Sequence, residues 1–93
     1  MNTKRKGSRN EHRSITLLEA AGYRCTRAAA SLGTFDIIGV GPTEILLVQC
    51  KSNRPPGKAE METLKTFPCP PNCRKLVHVW RDRQPWPDLQ EIL

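Results

Sequence analysis

The sequence has no long hydrophobic run. Its longest is Ile45-Leu46-Leu47-Val48, far short of the roughly 20 apolar residues that a membrane helix needs. The N-terminus is basic, but no apolar core follows it, so it does not read as a secretory signal. There is no internal repeat and no low-complexity tract, which excludes solenoids and fibrous arrays. These absences predict a cytoplasmic, intracellular domain with no membrane partner. At 93 residues the chain is expected to form a single domain over residues 1–93. A domain this small buries only about two-thirds of its unfolded surface, so a second copy would add stability.

Acidic residues are also scarce, 9 against 15 Lys and Arg, which leaves a net charge of +6. The excess is local. Lys4, Arg5, Lys6, Arg9, Arg13, Arg24 and Arg27 face only Glu11 and Glu19 in the first 27 residues, whereas the remainder is nearly balanced. A one-sided basic patch suits a polyanion, because neutralised phosphates release condensed counterions. Residues 1–7 are expected as a flexible basic arm that binds DNA together with Arg9 and Arg13.

Cys25, Cys50, Cys69 and Cys73 raise the question of disulfides or zinc. Without an export signal, disulfides are not expected. Cys69 and Cys73 have finger-like spacing and His78 could join them, yet no second close pair completes four ligands. Small buried hydrophobes are the simpler reading of these thiols.

Ser8-Arg9-Asn10-Glu11 has the form of a capping box, followed by Ile15, Leu18 and Ala21 at helical spacing and then Gly22. A first helix is therefore expected over about 9–21. Strands are expected over 23–28, 34–40 and 45–51, the last two joined by the Gly41-Pro42-Thr43-Glu44 loop of a hairpin. Met61 and Leu64 mark a second helix over about 58–67, and residues 75–81 read as another strand. Pro87 to Leu93 reads as a short terminal helix. The expected fold is α/β: a mixed central sheet flanked by helices, with helix 58–67 as the crossover to a parallel strand.

Several polar residues interrupt these apolar elements. Asp36 lies within Phe35-Asp36-Ile37-Ile38, where a carboxylate is costly unless paired or metal-bound. Gln49 and Lys51 end a hydrophobic strand and share one face. A four-residue loop pairs Val40 with Ile45 and places Asp36 opposite Gln49, with Lys51 on the diagonal. Glu11 leads the helix stripe that continues through Ile15 and Leu18. Each has a plain structural reading as well: Glu11 completing a capping box, Asp36 paired with Arg27, Gln49 and Lys51 as a polar strand end. Together, however, they supply oxygen donors suited to Mg²⁺ or Mn²⁺ and a lysine to stabilise charge developing on phosphorus. Such a set suits phosphodiester hydrolysis.

Asp36 and Gln49-Cys50-Lys51 resemble the D…(E/Q)-x-K signature of the PD-(D/E)XK nuclease superfamily. Lys6-Gly7, Glu11, Gly22-Tyr23 and Arg27-Ala28-Ala29-Ala30-Ser31 extend the resemblance to the archaeal-type Holliday junction resolvases. It covers residues 6–52 by motif and the remainder by element pattern. It implies an α-β-β-β-α-β restriction-endonuclease-like core and Mg²⁺- or Mn²⁺-dependent cleavage of four-way junctions by a homodimer. Glu11, Asp36 and Gln49 would surround the metal, Lys51 would be the catalytic lysine, and Arg27 and Ser31 would lie near the DNA backbone. Gln49 stands where the family usually has glutamate, which should weaken metal binding. Glutamine there is similar to VRR-type nucleases, a related branch with standalone phage members, so flap cleavage or nicking is an alternative. A DNA-binding module without catalysis is another. Trp80, Trp86 and Leu93 are expected at the dimer interface, the alternative being that both tryptophans close the domain's own core.

Overall fold

The computed structural model describes residues 3–28 and 33–93, with side chains from Ser8 onward. Helix α1 spans Thr3–Ala20, and the strands β1 (Arg24–Arg27), β2 (Ile37–Val40) and β3 (Ile45–Ser52) follow. Helix α2 (Lys58–Thr66) leads to β4 (Cys73–Trp80) and β5 (Asp88–Ile92). The five strands lie in chain order, antiparallel except for the β3–β4 pair. Because β3 and β4 are parallel, the connection between them must return the chain to the same end of the sheet, and α2 lies on that connection. This is the mixed α/β sheet flanked by helices that the sequence predicts.

Alternation along β3 builds two cores, one on each face of the sheet. Leu46 and Val48 join Ile37 and Leu18 beneath α1. Leu47 turns the other way and meets Phe35, Leu64, Val77, Val79 and Ile92 beneath α2. Phe35 and Phe67 close that second core edge to face, with ring centroids 5.1 Å apart. No helix among the described residues is long and apolar enough to cross a membrane.

Two expectations are corrected. Helix α1 starts at Thr3, so residues 3–7 are helical backbone rather than an arm, and Ser8 lies inside the helix instead of capping it. Lys4, Arg5 and Lys6 are good helix formers and carry the helix through Gly7 and Ser8. The C-terminal end falls as expected: Gly22, at φ 101°, takes the left-handed conformation that terminates a helix. Residues 87–93 form the edge strand β5 and not a helix. Five residues are too few for a stable helix, whereas pairing them covers the otherwise open edge of β4.

Candidate active site

The β2–β3 hairpin has the expected register, from Val40 opposite Ile45 to Ile37 opposite Val48. Its loop is closed by Gly41 N–H donating to the Glu44 carbonyl at 2.8 Å. A side chain at Gly41 would run into the Tyr23 ring, 2.7 Å from the position of a β-carbon.

At the other end the ladder stops at Ile37, one residue short of Asp36. The Asp36 N–H still donates to the Val48 carbonyl at 2.8 Å. Its carboxylate then takes over as acceptor, receiving the Cys50 N–H on Oδ2 at 2.8 Å. Half-burial pushes the Asp36 carboxyl above its usual range. The Cys50 N–H bond, Lys51 and Arg27 oppose the shift, and Glu11 adds to it. Asp36, Glu11, Lys51 and Arg27 therefore share one electrostatic neighbourhood. Glu11, near the middle of α1, accepts a hydrogen bond from Arg27 Nε at 2.8 Å.

Gln49 is 5% exposed and on the α2 face, as alternation requires. Its Nε2 donates to Thr34 Oγ1 at 2.9 Å and to Glu60 Oε2 at 3.4 Å, so its hydrogen bonds go there and not to Asp36. Its Oε1 is buried and has no partner among the described residues. A buried acceptor left unpaired costs about 1–3 kcal/mol, which calls for a donor or a cation. Lys51 Nζ lies 3.1 Å from both carboxylate oxygens of Glu60, and this contact chiefly holds the Glu60 carboxyl below its usual range.

Glu60 was not among the sequence candidates. On its own it reads as an acidic residue in the first turn of α2, where it favours the helix dipole. Only the β3–α2 packing reveals it beside Gln49 and Lys51.

The other candidates lie as follows. Arg9 is exposed, and Arg13 is half-buried. The Lys4, Arg5 and Lys6 side chains and Ser31 lie outside the described residues. The zinc reading fails on geometry. Cys69 and Cys73 pack against the α2-side core, whereas His78 Nδ1 is bonded to Ser14 Oγ on α1 at 2.8 Å. All four cysteines are free thiols.

The family model for archaeal Holliday junction resolvases matches residues 2–66, which contain every residue of this cluster. The chain belongs to the archaeal Holliday junction resolvase family. As a member it is a structure-specific junction endonuclease, in a class that depends on divalent metal. Among solved structures it is similar to the Hjc resolvase of Archaeoglobus fulgidus, with TM-score 0.70 and 22% identity over 94% of this chain and 71% of that one. At that identity the likeness establishes the fold, including β4 and β5, which the family model does not reach. No curated protein sequence matches the chain.

Among the described residues, no three His, Cys, Asp or Glu side chains form a group that could hold a metal. The oxygen donors present are the Asp36 and Glu11 carboxylates, which share one neighbourhood, and the orphaned Gln49 Oε1. Their chemistry suits a hard cation that accepts one or two carboxylates and keeps several waters. The unpartnered Gln49 oxygen is what such an ion would satisfy.

Proposed function

We propose that this chain cuts four-way junctions with Mg²⁺ held by Asp36, Gln49 and Glu11, and with Lys51 as its catalytic cation. The observation that supports this most directly is the buried Gln49 Oε1 without a donor, on the strand that also carries Lys51, where β2 and β3 part. A stable core would pair that oxygen. The ion would supply Lewis-acid polarisation of the phosphate.

The chain's own side chains do the rest. Lys51 places an ammonium at the site, where it stabilises negative charge gathering on the phosphate oxygens. Glu60 is a positioning residue that holds Lys51 in place at 3.1 Å. Arg27 keeps Glu11 ordered beside Asp36 and offers its remaining N–H groups to the DNA backbone, as a guanidinium fork can. Lys4, Arg5, Lys6, Arg9, Arg13 and Ser31 complete the proposed DNA contacts.

We further infer that the working unit is a homodimer. Trp86 and Leu89 are 63% and 70% exposed and, with Leu17 and Leu76, line an apolar groove of about 560 Å³ beside α1. Leu93 is exposed close by in the chain. A second copy covering this face would bring two identical sites to a two-fold branched substrate. Trp80 leaves the interface set: it is 2% exposed, and its Nε1–H donates to Ser14 Oγ at 2.8 Å.

One gel tests the reading. Synthetic four-way junction, flap and duplex DNA are incubated with Mg²⁺ and with EDTA. Junction-selective cleavage that needs Mg²⁺ is expected. Flap-selective cleavage would favour the VRR-like alternative, and binding without cleavage would leave a DNA-binding module.

A further inference from the structure

Beyond the cleavage site, α1 and the β4–β5 loop enclose a second concave surface, a cavity of about 360 Å³ whose rim carries Arg9, Arg13, Arg81 and Arg83. The cleavage mechanism uses none of its loop residues. Its walls are firmly built. Asn53 N–H donates to the Trp80 carbonyl at 2.9 Å, and Asn53 Oδ1 accepts the Asp82 N–H at 2.9 Å, so the loop is tied to the end of β3. Arg81 is spent on structure, paired with Asp88 at 2.6 Å and donating to the Asn53 carbonyl.

The other three guanidiniums differ. Arg13 lies 4.0 Å over the Trp80 ring and donates to Asn10 Oδ1 at 3.4 Å and to the Gln84 carbonyl at 3.3 Å. It is held in place by neutral groups and keeps its charge uncompensated. Arg9, one helical turn earlier, and Arg83 have no carboxylate partner among the described residues. Arg83 also sits at φ 65°, a left-handed conformation that a β-carbon strains, so this turn carries an arginine where glycine would be relaxed. Asp82 is the acid on the rim, which leaves positive charge in excess.

We propose that this cavity is a second phosphate subsite, which takes an internal phosphodiester of the DNA strand flanking the one that is cut. Arg9, Arg13 and Arg83 line one concavity, and guanidiniums suit the planar, multidentate acceptor geometry of a phosphate. A base is not what it recognises, because Arg13 already covers the Trp80 ring. The subsite lies along the same sheet end as the cleavage residues: Asn10 Nδ2 donates at 2.8 Å to Ser52 Oγ, the residue after Lys51. A contact of this kind sets register and carries no sequence preference. The proposal rests on the DNA-cleaving reading above.

Arg83→Gly gives the decisive test, because it removes the guanidinium while relaxing the strained backbone, so loss of fold cannot mimic loss of the site. Binding of a fluorescent four-way junction is titrated by anisotropy in EDTA across a salt series, for wild type, R83G and Arg9→Ala. Each variant should bind several-fold more weakly, with a log–log salt slope shallower by about one. Junctions carrying a single neutral methylphosphonate next to the cut should weaken wild type at one position and leave R83G indifferent there. A junction with and without a 5′-phosphate separates an internal from a terminal phosphate, and dependence on the terminal group overturns the assignment. Wild-type binding with unchanged slopes in both variants overturns the subsite alone. Wild type that binds no junction overturns it together with the nuclease reading.

Discussion

Two buried polar clusters lie at the same end of the sheet, and they are built on opposite terms. Around Ser14, the hydroxyl is fully paired. Its hydroxyl donates to His78 Nδ1 at 2.8 Å and accepts from Trp80 Nε1 at 2.8 Å and from the Cys50 thiol at 3.4 Å. One donor and two lone pairs are thus fully used. Around Asp36 and Gln49 the pairing is incomplete: one carboxylate is half-desolvated, and one amide oxygen has no partner among the described residues. Burial alone therefore does not distinguish the two clusters; hydrogen-bond satisfaction does. The closed cluster fastens α1 to β3 and β4, and the open one is where we propose that a metal ion binds.

Asp36→Asn should separate the two clusters most sharply. Cleavage should fall about a thousandfold or more, the scale of losing a key electrostatic group at a reacting centre. Junction affinity should stay within a few-fold, because the arginines bind phosphate independently. The variant should also be at least as stable as wild type. The raised Asp36 pKa means that the ionised form costs stability at neutral pH, and an amide oxygen can still accept the Cys50 N–H. A D36N protein that cuts at the wild-type rate, or that melts well below it, would contradict this assignment.

Ser14→Ala should do the reverse. It strands the Trp80 N–H and His78 Nδ1 in the interior, at about 1–3 kcal/mol for each unpaired group. A loss of about 3 kcal/mol in urea unfolding is expected, with single-turnover cleavage by the folded fraction unchanged. The same cluster gives a pH signature. Burial pushes His78 down to about 4, so the ring is neutral in the fold. Its contribution is complete above the unfolded value near 6.5 and is lost as pH falls toward 4, reaching ~3 kcal/mol there. Unfolding measured between pH 7 and 4 should show this loss. His78→Asn, which keeps an acceptor for Ser14 but cannot titrate, should flatten it.

How much of this was legible in the sequence follows from the range of the signals. The hairpin register could be counted from a four-residue loop, and it located Asp36, Gln49 and Lys51 along the chain. Ser8-x-x-Glu11 misled, because a capping-box pattern also occurs inside a helix whose flanking lysines and arginine sustain it. β5 was obscured because Pro87 suits the start of a helix as well as of a strand, and only the open edge of β4 decides between them. Glu60 and Arg83 were hidden for one reason: each is ordinary in its own segment and becomes informative through a neighbour far away in sequence.

Gln49→Glu is the finest probe, since it changes one charge inside the open cluster. A carboxylate there should strengthen binding of a hard cation, so cleavage should reach half-saturation at several-fold lower Mg²⁺. The metal-free protein should pay a small opposing cost. The Gln49 Nε2 donor to Glu60 Oε2, at 3.4 Å, becomes an oxygen facing an oxygen, and the bond to Thr34 reverses direction. Melting without metal should therefore drop slightly, and added Mg²⁺ should restore it by more than it stabilises wild type. Glu60→Gln in the same chain should relieve the metal-free cost, because an amide can again donate across that contact. If the Mg²⁺ requirement of Q49E is unchanged or higher, Gln49 does not touch the ion, and its orphaned oxygen needs another explanation.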